Sequence, residues 1–563
     1  MSGSFVLMLH SHLPFYRKAG MWPFGEENLY ECMVETYLPL LNALTELQAD
    51  GIAAHITVGI TPVLAEQLAD EHLKQGFETY LQRQIDMAEA DVARYPDPDV
   101  PHSDHLAFLA GYYRDHFKSL MDDFRSKYQR DVIGAFRKLQ DAGCIEITTS
   151  AATHGFLPLL ATDEAIEGQL KTGIEAYKKY FGRDPKGIWL PECAYRHRRA
   201  VNPVNGEVTV RPPIEAFLFE NGLQYFFTEY SAIEGSEGSE YRRHVGIYRD
   251  IKQVPMHHKS LTGLTTDQPY YLKDYPVAVL GRNERASFQV WSAADGYPGD
   301  GIYREFHKKD ETSGLQYWRI TAKDRGFGDK MLYDPVEAFN KTREHAKHYV
   351  WLIEQMLAEK EDDSMIMVSF DTELFGHWWY EGIAWLKEVI RGLHASKAVH
   401  VRTASEQLAT QAPEAALQLP DSTWGAGGHY WVWNNEEHTH WMWSIIHECE
   451  YFMRQLVRAF INEKDPLKVR ILNQTFRELL LLQSSDWPFL ITTGQARQYA
   501  IDRFNTHVAN FNSLAVMLTG GTVDEELLSR LEEQNNLFAG VDYHWYQYHP
   551  DAAEAHTPGA QLV

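Results

Sequence analysis

Short apolar runs of strand length recur along this chain with longer amphipathic stretches between them, and that alternation restricts the fold more than any other feature. The runs are Phe5–Leu9, Ala53–Ile60, Cys144–Thr148, Gly187–Leu190, Gln224–Phe227, Pro276–Leu280, Met365–Phe370 and Val399–Val401. Helical spacing of apolar residues fills Leu29–Leu47, Ala165–Tyr180, Ile214–Asn221, Pro335–Leu357 and Ile383–Leu393. Strands separated by helices pair in parallel, and so many such units predict an α/β barrel of TIM type. The pattern breaks twice. Residues 66–140 are helical, polar and too long for one crossover, which predicts an inserted helical subdomain. From about residue 414 the strands stop, and Glu436–Asn462, Leu467–Gln483, Gly494–Leu518 and Asp524–Asn536 read as successive helices. The expected organisation is a catalytic barrel over 1–413 and an all-helical domain over 414–563. The stretch 231–275, with Gly235-Ser236-Glu237-Gly238-Ser239, reads as a long mobile loop, and 550–563 as a frayed tail.

The chain has 563 residues, more than one hydrophobic core usually organises, so several domains or a barrel with additions are required. Lys+Arg 53 against Asp+Glu 78 leaves 53 − 78 = −25, which repels phosphate backbones and anionic membrane surfaces, so neither nucleic acid nor membrane is an expected partner. The first apolar run is interrupted by His10 and lacks a basic flank, which predicts neither a signal segment nor a span, and a cytoplasmic location. Cys32, Cys144, Cys193 and Cys449 lie too far apart for a disulfide framework or a metal knuckle. Aromatic residues make up 13% of the chain, a surplus that suits stacking on sugar rings as well as core packing.

In a parallel barrel the chemistry sits at the carboxyl ends of the strands. Here the first run enters His10-Ser11-His12-Leu13-Pro14, the third is followed by Thr153-His154-Gly155, the fourth by Pro191-Glu192-Cys193, and Met365–Phe370 runs directly into Asp371-Thr372-Glu373. Any one of these has an ordinary structural reading; four at one end are harder to explain that way. Two chemistries use such a set. His-x-His on a first strand, with later His and Asp, is how metal-dependent amidohydrolases hold cations. Two carboxylates 371 − 192 = 179 residues apart, among Trp189, Phe375, Trp378 and Trp379, suit glycosidic bond chemistry, one attacking the anomeric carbon and the other protonating the leaving oxygen. Alternation along a continuing strand places Glu373 on the face of Asp371 and turns Cys193 away from Glu192.

The four regions His10–Phe15, Gly143–Leu160 around His154, Gly187–Tyr195 and Phe370–Trp379, in that order, resemble glycoside hydrolase family 57 over most of the chain. Val290-Trp291-Ser292, Gly296–Asp300, Tyr303-Arg304-Glu305 and Ser484–Phe489 resemble its 1,4-alpha-glucan branching enzyme subgroup. The resemblance implies an incomplete seven-stranded barrel and a retaining double displacement, with Glu192 as nucleophile and Asp371 as general acid/base. It implies alpha-glucan as the substrate, no cofactor and no metal. His10, His12 and His154 match substrate-contacting histidines; Trp291, Trp433, Trp441 and Trp487 are candidates for stacking glucose units, and Asp486 for reaching the cleft. Branching enzymes of this family carry a loop tyrosine over the cleft, and Tyr230, Tyr241, Tyr248, Tyr270 and Tyr271 are its candidates here. The implied activity is transfer of an alpha-1,4 glucan segment to a 6-hydroxyl. Alpha-amylase and 4-alpha-glucanotransferase use the same carboxylates; a metal-dependent hydrolase and a non-catalytic glucan-binding protein are the readings outside that class.

Overall fold

The computed structural model describes residues 3–97, 99, 101–201, 209–235, 260–291, 296–322, 324–549 and 561–562. Seven strands carry the architecture: β1 (Gly3–Ser11), β2 (Ile56–Ile60), β3 (Ile145–Thr148), β4 (Gly187–Ile188), β5 (Tyr225–Thr228), β6 (Ala278–Gly281) and β7 (Met365–Asp371). Parallel ladders join β7, β1, β2 and β3 in one sheet and β4, β5 and β6 in another. A parallel bridge between Thr149 and Ile188 links the sheets, and the Asn283 N–H donates to the Met367 carbonyl (2.6 Å) where β6 faces β7. The eighth apolar run forms Val399–Arg402, which pairs with the first half of β1 instead of filling that gap. The barrel is therefore α/β, parallel, seven-stranded and incomplete. All nine residues of β1 are buried, as expected for a strand covered on both faces.

The insertion is helical, with Pro62–Ala69, Glu71–Arg94, Ser103–Asp122 and Val132–Asp141. Asp70 caps the second of these by accepting from the Leu73 N–H. The C-terminal region packs His440–Ala459, Pro466–Leu482, Asp486–Thr493, Arg497–Leu518 and Glu525–Gln534. Strands do not stop at residue 414, however. Ala415–Leu417 lies parallel to both Tyr270–Leu272 and Gln561–Leu562; three residues between Pro413 and Pro420 are too few to display alternation. Among the described residues no helix is long and apolar enough to cross a membrane. One hydrophobic cluster runs through both regions, holding Ile188, Leu190 and Phe226 of the barrel beside Phe476, Leu480 and Phe504 of the helices.

Of the expected loop, the described parts include the helix Tyr230–Glu234 and the strand Tyr270–Leu272. Tyr241 and Tyr248 lie outside the described residues, as does most of the expected tail. Tyr270 is a core residue whose hydroxyl donates to the Thr265 carbonyl (2.9 Å), which removes it as a cleft tyrosine. Tyr271 lines a pocket with Lys186, Gln224 and Pro276, at the starts of strands and so at the wrong end of the barrel. Tyr230 follows β5 at the carboxyl end.

Candidate active site

Strand β1 and strand β7 run parallel in a register that sets His10 beside Asp371, so the first histidine and the last carboxylate share one level at the carboxyl end. Asp371 closes β7, and the chain then turns through Thr372–Leu374. Glu373 is thus on a turn instead of a continuing strand, and alternation does not apply to it. Its carboxylate is buried, accepts from the His12 N–H (3.3 Å) and receives the Tyr37 hydroxyl. Burial pushes Glu373 up to about 7. Asp371 is held well above the usual carboxylate range by burial and by the Glu373 and Glu192 charges, with Arg282 opposing.

After β4 the turn Pro191–Cys193 places Glu192 at φ 59° and Cys193 at φ 51°, and His154 after β3 stands at φ 60°. Left-handed backbone at a non-glycine residue costs about 1–3 kcal/mol and persists where surrounding contacts enforce it, commonly at functional sites. Cys193 packs as expected, its thiol donating to the Phe227 carbonyl (3.4 Å), but the turn is what aims it there and not strand alternation.

Glu192 is nearly buried, and each carboxylate oxygen has its own donor. The Trp424 indole N–H donates to Oε2 (2.9 Å) and the Ser485 hydroxyl to Oε1 (2.8 Å). Burial and the Asp486 charge raise Glu192 above its ordinary value, and the bonds from Trp424 and Ser485 together with His12 limit that rise. The three histidines gather against it. The His12 and His154 rings stack at 3.8 Å, His10 and His154 meet at 3.1 Å between Nε2 atoms, and the His10 ring stacks on Trp189 at 5.1 Å. Burial and neighbouring histidines push His10 and His154 well below their ordinary value, so both are neutral. Burial acts the same way on His12, but Asp486, at 3.1 Å from its Nε2, overcomes it together with Glu192 and Glu373 and raises the imidazole. His12 Nδ1 meets the Thr61 hydroxyl (3.2 Å). Among the described residues no group of three His, Cys, Asp or Glu converges as metal ligands; all of these ring nitrogens except His10 Nδ1 are engaged with one another or with Thr61, Ser485 and Asp486.

The tryptophan candidates divide. Trp291 is 38% exposed and meets the exposed Trp378 edge-on at 6.2 Å; Trp441 is 39% exposed. Trp433 and Trp487 are not platforms. They are 1% and 0% exposed, Trp433 against Phe156 and Trp487 with its N–H on the Leu481 carbonyl (2.8 Å), because the amphipathic helices around them turn inward. Trp424 escapes a reading by pattern, since it sits in the aperiodic stretch Thr423–Gly428 and only tertiary folding brings it to Glu192. Ser485 lies within the Ser484–Phe489 motif, where the signal existed beside Asp486.

A buried carboxylate held by two donors, near a second carboxylate raised by burial and flanked by imidazoles and aromatic faces, is the arrangement expected of a carbohydrate-active site at the carboxyl end of a parallel barrel. The chain belongs to glycosyl hydrolase family 57, whose profile matches residues 6–420. The C-terminal domain of 1,4-alpha-glucan branching enzymes matches residues 445–546. A 1,4-alpha-glucan branching enzyme of Thermococcus kodakarensis is 43% identical over 552 residues, 96% of this chain and 78% of that protein. Its crystal structure, with glucose, superposes with a TM-score of 0.87 over the whole of both chains at 40% identity. A branching enzyme of Pyrococcus horikoshii superposes at 0.85, with 40% identity over 100% of this chain and 99% of the other. The alpha-amylase AmyC of Thermotoga maritima superposes at 0.81, with 31% identity over 98% and 100% of the two chains.

Proposed function

We propose that this protein is a retaining 1,4-alpha-glucan branching enzyme. The observation that carries the chemistry is the pairing of Glu192, whose two oxygens each accept a fixed hydrogen bond, with Asp371, which burial raises well above the usual carboxylate range. Glu192 attacks the anomeric carbon of an alpha-1,4 linkage while Asp371 protonates the departing 4-oxygen; Asp371, now ionised, then takes the proton of an acceptor 6-hydroxyl as that oxygen displaces Glu192. His10, His12 and His154 line the floor beside the nucleophile, where they serve sugar hydroxyls. Trp291 and Trp441 present exposed faces for glucose units, and Asp486 orients His12. Membership of the branching-enzyme C-terminal family supports a 6-hydroxyl as acceptor.

A second reading, hydrolysis of the same intermediate, is favoured by the likeness to an alpha-amylase over nearly the whole chain. The two separate in one experiment on amylose: proton NMR for alpha-1,6 signals beside a reducing-end assay on the same sample. Branching predicts new alpha-1,6 signals with far fewer new reducing ends. Reducing ends rising without branch signals would make the protein an amylase, and neither change with redistributed linear chains a glucanotransferase.

A further inference from the structure

We propose that Ser485 is a positioning residue for the nucleophile: brought in by the helical domain, its hydroxyl fixes one oxygen of Glu192 and is itself aimed by His154. The geometry leaves little freedom. Ser485 is fully buried, and its backbone N–H donates to the His154 carbonyl (3.0 Å) while its Oγ lies 2.9 Å from His154 Nδ1 and 2.8 Å from Glu192 Oε1. A hydroxyl has one proton. If it goes to the Glu192 carboxylate, which can only accept, then His154 must donate through Nδ1, and its Nε2 is left an acceptor. His10 Nε2, 3.1 Å away, then donates, which makes His10 Nδ1 the bare acceptor of a neutral ring; that atom is buried and has no partner. One tautomer assignment therefore satisfies all three contacts, and every proton in the chain His10, His154, Ser485 points toward Glu192.

Without the hydroxyl, His154 Nδ1 stands 3.7 Å from Glu192 Oε1, beyond a hydrogen bond, so the histidine does not replace the serine. The other groups facing Glu192 are His12, Asp371, Asp486, the neighbouring Cys193 and the Trp424 N–H, which reaches the opposite oxygen. Among the described residues Ser485 alone hydrogen-bonds Oε1, which ties its orientation to the seating of the helical domain on the barrel.

The inference rests on Glu192 being the nucleophile, and the test separates the two. Ser485→Ala and Ser485→Thr are compared with the unaltered protein for kcat, KM and the pH profile of kcat/KM on amylose cleavage, after melting temperatures establish that each variant is folded. Losing a donor to an ionised carboxylate predicts a fall in kcat of about 10- to 100-fold for Ser485→Ala. KM stays within about threefold, and the acidic limb of the profile moves to higher pH because the carboxylate ionises less readily. Ser485→Thr keeps the hydroxyl and returns the limb toward its original position. If the extra methyl prevents folding, the limb of Ser485→Ala decides alone. An unmoved limb in Ser485→Ala, whether kcat holds or falls with melting temperature, overturns the proposal. Full activity in Glu192→Gln would overturn the underlying reading instead.

Discussion

Glu192 is a carboxylate asked to stay ionised in a buried place, and the residues around it explain how. Two donors and the raised His12 restrain the upward push of burial and of Asp486 on Glu192, while burial and the Glu373 and Glu192 charges raise Asp371 well above its ordinary value. Two carboxyl groups raised to different extents suit the proposed acid and nucleophile pair. Glu192→Gln, nearly isosteric, should cost about three orders of magnitude or more in kcat with little change in melting temperature, checked by initial rates on amylose. Glu373 has a subtler effect. Its charge is among the causes that raise Asp371, after burial, so Glu373→Gln removes a negative neighbour and lets Asp371 lose its proton more easily. The basic limb of the pH profile should move to lower pH, as a bell-shaped profile of kcat/KM recorded for both proteins would reveal. The histidines make a third expectation. Their nitrogens hold one another and Ser485, Thr61 and Asp486, so dialysis against EDTA should leave activity unchanged; loss of activity restored by zinc would return the metal-dependent reading.

At the level of elements, the four candidate tryptophans divide by burial. Trp433 and Trp487 lie inside the core, so their replacement by Ala should destabilise by about 3–5 kcal/mol, read as a lowered melting temperature. Trp291→Ala and Trp441→Ala should leave melting nearly unchanged and raise KM for long glucans. The sequence resolves such elements unevenly. Strand ends were legible: His10, His154, Glu192 and Asp371 follow apolar runs, and a parallel barrel gathers whatever follows such runs. Strand alternation does not extend to Glu373 and Cys193, because the chain turns at both and a turn of three residues leaves no period to detect. Trp424 comes from a glycine-rich stretch with no pattern, and its partner Glu192 is 232 residues away. Trp487 stands between Asp486 and a proline, and only the packing of helices around it distinguishes an exposed face from a core face.

Taken whole, the molecule divides its site between two regions that sequence separates and packing does not. Glu192, Asp371 and the histidines come from the barrel, whereas Trp424, Ser485 and Asp486 come from beyond residue 413, and these last three reach within hydrogen-bond distance of Glu192 or His12. The same continuity holds in the apolar interior, where Ile188 and Phe226 share one cluster with Phe476 and Leu480. Domains joined through a small polar interface unfold independently, while a large apolar one couples them. Calorimetry should therefore give one cooperative transition for the barrel and the helical region together, and activity should vanish with it. If the helical region melted first, a low-temperature endotherm would appear and activity would disappear there, because Glu192 would lose its Ser485 and Trp424 donors while the barrel stayed folded. Two resolved endotherms with activity surviving the first would mean instead that the barrel alone holds its nucleophile, contrary to the hydrogen bonds that converge on it.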